Sequence, residues 1–168
     1  MESILSWVLI GAGFILVLLP FLLGLMIPSH QQATRVELIR APLDTVWEAI
    51  SELSRQTEWR TDLKSVQLKD DDDGMRWIEI PARGGKVTLR KVKEVEKKEL
   101  LLQMERGSTV QGTRLAILSA VPGGTRITFT ETSELKNPVK RLFAQLGGKL
   151  DRRLNQYIAQ LKQAHSND

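Results

Sequence analysis

The chain contains no cysteine. This absence excludes disulfide bonds, thiol nucleophiles and cysteine-ligated zinc or iron–sulfur sites, although it does not tell an oxidising compartment from a reducing one. The two histidines, His30 and His165, fit no catalytic-triad or zinc-binding pattern, and no glycine-rich segment matches a phosphate-binding loop. We therefore expect neither a metal nor a cofactor, and the sequence offers little support for a catalytic centre.

The first 28 residues contain no basic side chain, and residues 4–27 carry no charge. A helix of that length reaches about 36 Å, more than the roughly 30 Å hydrocarbon core of a bilayer. A cleaved signal peptide would begin with basic residues and have a shorter apolar stretch. We therefore predict an uncleaved transmembrane anchor over residues 1–28, with a signal peptide as the alternative. Arg35 and Arg40 follow the span, so the positive-inside rule predicts a cytoplasmic domain.

About 140 residues remain after the anchor, which is the size of one domain with its own core. We predict a polar linker over residues 29–33, a folded domain over residues 34–164 and a short tail over residues 165–168. Alternating and helical apolar patterns predict a strand, one or two short helices, six further strands and a long helix. The fourth strand changes its apolar phase between Leu89 and Val92, which predicts a β-bulge or strong coiling of the strand.

The last predicted helix begins at Asn137, a good N-cap, with Pro138 in the first turn. Apolar residues then recur at helical spacing as far as Leu161, so we predict one apolar face of about six turns. Gly147 and Gly148 in the middle favour a bend. The segment from residue 136 onward contains seven basic residues and two acidic ones. Its positive charge suits anionic lipid headgroups, or else forms the solvated back of the helix; we do not predict nucleic-acid binding.

Two segments of the domain carry a family pattern. In "RVELIRAPLDTVWEAISELSRQTEWRTDLKSVQL", a strand leads into Ala41 and Pro42, then into Val46 and Trp47 on a helix, and Trp59 precedes the next strand. This opening, with "GGTRITFTETSEL" as the last strand, resembles the START-like (SRPBCC) superfamily and its polyketide cyclase/dehydrase-like group.

The resemblance, which covers residues 34–162, implies an α+β helix-grip fold. In that fold a curved seven-stranded antiparallel sheet and two short helices surround a long C-terminal helix, and a cavity lies between sheet and helix. Different members of the superfamily hold lipids, sterols, quinones, polyketides or plant hormones in this cavity. The shared fold does not by itself identify the chemistry.

The candidate site residues follow from this cavity. Trp47 is expected in the core, whereas Trp59 lies in an irregular segment where the cavity opens. Trp77 and Glu79 share one strand face; if that face is turned inward, Glu79 is a buried carboxylate suited to acid–base chemistry or to anchoring a ligand, and otherwise it is solvated, which we favour. Arg60 and Asp62 also share a face, and the simplest interpretation is a surface pair. The predicted ligand-binding residues are Trp59, Arg60, Trp77, Glu79, Arg90 and Tyr157, with Arg114 and Glu131 as further polar candidates.

The preferred hypothesis is a membrane-anchored, non-enzymatic binding protein for a hydrophobic small molecule of lipid or isoprenoid type. It predicts an apolar cavity of at least about 300 Å³ between the sheet and the C-terminal helix. The first alternative is a cyclase, dehydrase or hydrolase that uses Glu79 or Asp62 as a general base. The second is a non-catalytic interaction module at the membrane, which a filled cavity and an exposed apolar patch would favour.

Overall fold

The structure, a computed structural model, describes residues 2–107 and 110–165. The predicted tail, apart from His165, lies outside these residues. The helices and the one 3₁₀ helix are α1 (Glu2–Met26), α2 (Leu43–Ser51), the 3₁₀ helix (Leu53–Glu58), α3 (Pro138–Gly147) and α4 (Lys149–His165). The strands are β1 (His30–Ile39), β2 (Leu63–Asp71), β3 (Gly74–Pro81), β4 (Val87–Val95), β5 (Glu99–Arg106), β6 (Val110–Val121) and β7 (Gly124–Leu135).

The seven strands form one antiparallel sheet in the order β1-β7-β6-β5-β4-β3-β2. Strands that follow each other in the chain are neighbours from β2 to β7, and β1 closes the order by pairing with β7. With the two short helices and the long helix α4, this arrangement confirms the predicted helix-grip fold. Gly124 is required where β7 begins, because its φ is 146° and a Cβ there would come within 2.1 Å of the Ile39 carbonyl oxygen.

The bulge predicted from the apolar phase of the fourth strand is confirmed. The pairing of β4 with β5 shifts register between Lys91 and Lys93, which leaves Val92 as the extra residue. Val92 is exposed, whereas Leu89 before the shift is fully buried. The apolar positions on the two sides of the bulge therefore do not share one face of the sheet.

The linker predicted over residues 29–33 is wrong in its length. Residues 30–33 belong to β1, where His30 pairs with Glu134 at the far end of β7. Their polar side chains are tolerated because β1 is an edge strand and part of it faces solvent. Residues 27–29 alone separate α1 from the sheet.

The predicted long C-terminal helix is confirmed as α4, but the continuous run from Pro138 is not, because the chain breaks at Gly148. This residue adopts a left-handed conformation with φ 52°, which ends α3 and redirects the chain into α4. The start of α3 follows the prediction, since the Asn137 side chain accepts a hydrogen bond from the Lys140 backbone N–H at 3.0 Å. On α3, however, Phe143 is 58% exposed and Leu146 is 75% exposed. The predicted six-turn apolar face is therefore divided between two helices, and only the part on α4 is buried in the core.

The core lies between the concave face of the sheet, α2 and α4. Trp47 is buried there, as predicted, together with Ile39 and Phe129 from the sheet. The long helix α4 contributes one buried face to this core, formed by Leu150, Leu154, Tyr157, Ile158 and Leu161.

The helix α1 stands outside this core. Its residues Ser6–Met26 are long and apolar enough to cross a membrane, and nearly all of its described large apolar side chains are exposed. The helix approaches the domain at Gly24, which lies against Pro138 at the start of α3.

The break at Gly148 can be tested with Leu146 and Leu154, which the sequence placed on the same apolar face of one helix. Leu154→Ala should lower the free energy of unfolding by about 2–5 kcal/mol, because Leu154 is fully buried. Leu146→Ala should change it by less than about 0.5 kcal/mol, because Leu146 has few neighbours to lose. Denaturant-induced unfolding of the full chain in mild detergent measures both. Equal losses for the two variants would contradict the two-helix description.

Candidate functional site

Arg60 is the centre of a group of polar side chains enclosed by the domain. It follows the 3₁₀ helix, and its backbone N–H donates to the Gln56 carbonyl oxygen at 2.8 Å, which turns the side chain inward. The guanidinium donates to Asp62 at 2.7 and 3.2 Å, to the Gln56 side-chain oxygen at 3.0 Å, and to Glu79. Only 5% of Arg60 is exposed. The interpretation of Arg60 and Asp62 as a surface pair is therefore wrong.

The positive charge of Arg60 is neutralised by the neighbouring carboxylates of Asp62 and Glu79. Burial by itself lowers the pKa of the guanidinium, but the charge of Glu79 and the hydrogen bond to Asp62 act in the opposite direction and prevail, so its pKa is raised. Arg60 is therefore a permanent cation beneath the sheet.

Glu79 lies on the inward face of β3 beside Trp77 and is 3% exposed. Of the two alternatives for this strand, the solvated one is wrong. The carboxylate accepts a hydrogen bond from Arg60, and its Oε1 lies 3.9 Å from Nη1 of Arg114. Because two guanidinium groups converge on it, Glu79 serves as a counter-ion.

Arg114 and Glu131 face each other across β6 and β7, where they are a register pair. Nη2 of Arg114 donates to Glu131 at 3.2 Å, and Arg153 of α4 approaches the other Glu131 oxygen at 3.5 Å. Burial lowers the pKa of Arg114, but the charges of Glu131 and Glu79 more than offset this and raise it. Although Arg114 is nine-tenths buried, its Nε and Nη1 have no hydrogen-bond partner.

Tyr157 of α4 completes the group. The guanidinium carbons of Arg60 and Arg114 lie 5.1 and 5.0 Å from the centre of its ring, within the range of cation–π attraction. Its hydroxyl oxygen accepts a hydrogen bond from the Gln56 amide at 3.5 Å. Burial raises the pKa of Tyr157 to about 12, against the opposing charge of Arg114. We call this group the buried charge cluster; it comprises Gln56, Arg60, Asp62, Glu79, Arg114, Glu131, Arg153 and Tyr157.

Six of the residues singled out in the sequence thus come together: Arg60, Asp62, Glu79, Arg114, Glu131 and Tyr157. Trp59 borders the cluster, with its ring centre 5.2 Å from that of Tyr157. Trp77 points inward but donates to the Ser54 hydroxyl at 3.2 Å, away from the cluster. Arg90 alternates with buried Leu89 along β4 and donates to the Asp73 carbonyl oxygen at 2.6 Å, so it lies outside the cluster.

Three polar residues of the site were not identified from the sequence. Gln56 and Arg153 belong to the buried charge cluster, and Arg106 lies beside it. Two of them carried a periodic signal. Arg106 lies two residues after Met104 and four after Leu102 on β5, so it continues the strand face on which these two residues are buried. Arg153 stands three residues after Leu150 and four before Tyr157, at the edge of the buried face of α4. Gln56 lies in a 3₁₀ helix of six residues, which is too short for the spacing of its apolar residues to show which side chains are buried.

Little empty space accompanies these side chains. A pocket of about 20 Å³, roughly the size of one water molecule, lies between the sheet and Arg153. We call it the arginine pocket; its walls are Val87, Met104, Arg106, Gln111, Gly112, Glu131, Thr132, Ser133 and Arg153. The arginine pocket is far smaller than the predicted apolar cavity of at least about 300 Å³, and charged side chains with the ring of Tyr157 lie between the sheet and α4, where that cavity was expected.

A second, more open cleft lies near α1. Its volume is about 310 Å³, and it separates the start of β1 from the break between α3 and α4. Pro28, His30 and Gln31 line one side, and Gln145 and Asp151 line the other. About half of its wall is polar, and it lies outside the space between the concave sheet face and α4, so it is not the predicted apolar cavity.

The chemistry available to the buried cluster is that of hydrogen-bond donation. Each of its three carboxylates, Asp62, Glu79 and Glu131, is already engaged by at least one arginine. Arg106 adds a further cation beside the arginine pocket, and burial lowers its pKa. Among the described residues no group of three or more His, Asp or Glu side chains could hold a metal ion. The site is therefore suited to oxygen acceptors, above all to an anionic group.

The ionisation of Tyr157 tests the burial of the cluster. It is the chain's only tyrosine, so tyrosinate absorbance in the near ultraviolet reports this side chain alone. The absorbance should rise with a midpoint near pH 12 in the folded protein, and near pH 10, the usual pKa of a tyrosine, after denaturation. Above pH 10 the unfolded chain loses a proton that the folded chain keeps. The free energy of unfolding should therefore fall by about 2–3 kcal/mol between these pH values.

In a Tyr157→Phe variant, the free energy of unfolding should not show this decrease between pH 10 and 12. A folded-state midpoint near 10 would show that the tyrosine is solvated.

Glu79→Gln tests the role of charge compensation. The substitution keeps the shape but leaves Arg60 and Arg114 with less negative charge, and removing one partner of a buried pair typically costs about 3–5 kcal/mol. Denaturant-induced unfolding should show a loss of this order. The matched control is Glu58→Gln, which removes one of the two exposed carboxylate partners of Arg55 and should leave the unfolding midpoint in place. A Glu79→Gln protein as stable as the wild type would contradict the proposed role.

Comparison with known proteins agrees with this geometry. The aromatase/cyclase Zhui from Streptomyces sp. R1128 superposes with a TM-score of 0.67 at 11% identity, covering 80% of this chain and 93% of that one. A conserved protein from Geobacillus kaustophilus gives 0.63 at 15% identity, covering 80% of this chain and 94% of that one. StfQ, a di-domain ARO/CYC of the steffimycin biosynthetic pathway, superposes with a TM-score of 0.63 at 8% sequence identity. The match covers 82% of this chain and 50% of StfQ.

At such identities these likenesses establish the fold alone. The search among curated proteins finds no match. The model of the family described as "Polyketide cyclase / dehydrase and lipid transport" matches residues 30–165, well over half of the chain. The chain therefore belongs to this family of ligand-binding helix-grip proteins.

Proposed function

We propose that this protein is a membrane-tethered binding protein for a hydrophobic small molecule of lipid or isoprenoid type with an oxygen acceptor at one end. The molecule is taken up from the bilayer into the space between the sheet and α4. The helix α1 serves as the tether, and the domain lies on the cytoplasmic side. Support for this side comes from the basic residues on the domain side of α1, among them Arg35 and Arg40.

The observation that carries the proposal is the position of the arginine pocket at the end of the sheet where α1 departs. The register aligns His30 with Glu134, and Glu134 with Gln111, which lines the pocket. Since residues 27–29 alone separate His30 from α1, this row of the sheet lies next to the tether. An amphiphile leaving the bilayer meets this end of the domain first, and the tether raises its effective concentration there.

Binding requires the closed interior to open, and the break at Gly148 supplies a pivot. The ion pairs that hold α4 to β1, Arg35 with Asp151 and Glu37 with Lys162, are both 2.6 Å long and partly exposed. Partly exposed pairs of this kind stabilise a fold little. These two ion pairs therefore add little to the cost of moving the first turns of α4, which carry Arg153, away from the arginine pocket; the main cost is the exposure of the buried Leu150 and Leu154.

The walls of the pocket match the two ends of such a ligand. Val87 and Met104 offer apolar surface, whereas Arg106 and Arg153 offer charged donors. Arg114 lies deeper and has two N–H groups without acceptors. An anionic or carbonyl oxygen brought in by the ligand would satisfy donors that the protein leaves unmatched.

The geometry favours binding over catalysis. The enzyme hypothesis assigns a general base to Glu79 or Asp62, but both carboxylates accept hydrogen bonds from Arg60. A base needs a free lone pair directed at the proton that it removes. Neither Glu79 nor Asp62 lines the arginine pocket, so neither is directed at a group bound there.

The second candidate function is a non-catalytic interaction module at the membrane. It is favoured by the filled interior and by apolar side chains on the outer face of the sheet. Val36 and Leu38 of β1 and Ile117 of β6 are all at least two-fifths exposed, and Val36 and Ile117 both oppose Thr128 of β7. Such a patch is typical of a protein contact surface.

Native mass spectrometry of the full-length protein, purified in mild detergent, tests the binding proposal. We expect a stoichiometric non-covalent adduct that lipid extraction identifies. Arg106→Gln should weaken its binding about 10- to 100-fold, because a hydrogen bond to a charged group contributes about 1.5–3 kcal/mol. The substitution leaves the ion pairs of Glu79 and Glu131 in place.

The matched control is Arg126→Gln, which makes the same change of charge at an exposed position of β7 and should leave the adduct unchanged. An adduct-free mass, in a protein whose melting temperature lipids and isoprenoid quinones do not raise, would contradict the proposal. A polypeptide that remains bound in place of a small molecule would favour the interaction module.

A further inference from the structure

The start of α3 is held beside the last turn of α1. A Cβ on Gly24 would come within 2.0 Å of the Pro138 carbonyl oxygen, so the two backbones touch. If the uncharged run of residues 4–27 is centred in a bilayer, Gly24 lies about 13 Å from the midplane. The hydrocarbon core extends about 15 Å from the midplane. The first turn of α3 therefore lies at the boundary between acyl chains and headgroups.

The junction between α1 and α3 is fixed by Arg141. Its guanidinium donates to the carbonyl oxygens of Leu135 at 2.6 Å, of Lys136 at 3.1 Å and of Ile27 at 3.5 Å. These acceptors belong to the end of β7, the turn into α3 and the residue after α1. A backbone hydrogen bond of 2.9 Å from Leu135 to Ser29 joins the same segments. The helix α3 therefore cannot swing away from the end of α1.

One side of α3 is apolar and uncovered. Phe143 and Leu146 lie three residues apart, so they share a side of the helix. Both are more than half exposed, and the helix has no fully buried residue. A short helix with apolar residues on one side and basic residues near its start, here Lys136 and Lys140, has the composition of helices that lie in a membrane interface.

We propose that α3 is an interfacial helix that lies in the headgroup region of the bilayer crossed by α1, with Phe143 and Leu146 inserted among the acyl chains. The occupant of this apolar side is lipid, because the contact with Gly24 holds the helix at that depth. The inference rests on the tether in the proposed function, but not on any ligand. It adds a second membrane contact, which fixes the orientation of the domain.

The absence of cysteine makes the test direct. Single-cysteine variants, Phe143→Cys and Leu146→Cys, carry a nitroxide label in the full chain, reconstituted into vesicles of phosphatidylethanolamine and phosphatidylglycerol. Paramagnetic resonance then compares collisions with oxygen, which concentrates in the bilayer, and with a water-soluble nickel chelate. At both positions oxygen collisions should exceed nickel collisions several-fold. At Gln156→Cys, an exposed position on α4, the ratio should be reversed.

A label at Phe14→Cys separates the inference from the tether on which it rests. Phe14 lies in the middle of α1, so its label should be reached by oxygen alone. If it is, but the labels at residues 143 and 146 collide mainly with nickel, α3 is not interfacial and the tether stands. If the Phe14 label itself collides with nickel, the tether fails. Labels at 143 and 146 that neither reagent reaches would assign this side of α3 to a protein neighbour and overturn the lipid assignment.

Discussion

Two arginines and two glutamates enclosed between one sheet and one helix must neutralise each other within a few ångströms, and the rest of the domain is arranged around that requirement. Arg60 comes from the segment after the 3₁₀ helix, Glu79 from β3, and Arg114 with Glu131 from β6 and β7. Because an unpaired buried charge is destabilising by several kcal/mol, these elements cannot shift separately. The ring of Tyr157 on α4 lies against both guanidinium groups and brings the helix under the same constraint.

The same constraint connects stability with ligand choice. Side chains that neutralise one another also occupy the volume that a ligand would need, so the closed domain and the loaded domain compete for one space. A purely apolar guest would separate charges and leave them without partners, which is unfavourable. A guest that brings its own oxygen acceptor can replace part of what it displaces. In the proposed binding function, selectivity for amphiphiles over plain hydrocarbons then follows from electrostatics, without a shaped apolar wall.

Local periodicity predicted the order of the strands, the bulge at Val92 and the N-cap at Asn137, because each depends on neighbours a few residues away. It could not choose the inward face of β3, where Trp77 with Glu79 and Ile78 with Ile80 were both plausible. That choice depends on Arg60 and Arg114, which lie 19 and 35 positions away in the sequence. Nor could it distinguish a bend from a break at Gly148, since glycine permits both. Arg106 and Arg153 were missed because a lone cation at the edge of an apolar stripe usually faces water.

The bonds that Arg141 makes to three carbonyl groups have a consequence for encounters with other molecules. A domain on a loose linker samples all orientations above a membrane, and every productive encounter must wait for the correct one. Here the connection is only three residues long and is fastened by the protein itself. Rotational freedom is therefore lost once, on folding, and not again at each association. In the proposed membrane-tethered arrangement, partners that diffuse in the plane of the bilayer meet one fixed side of the molecule, so their search is two-dimensional and directional.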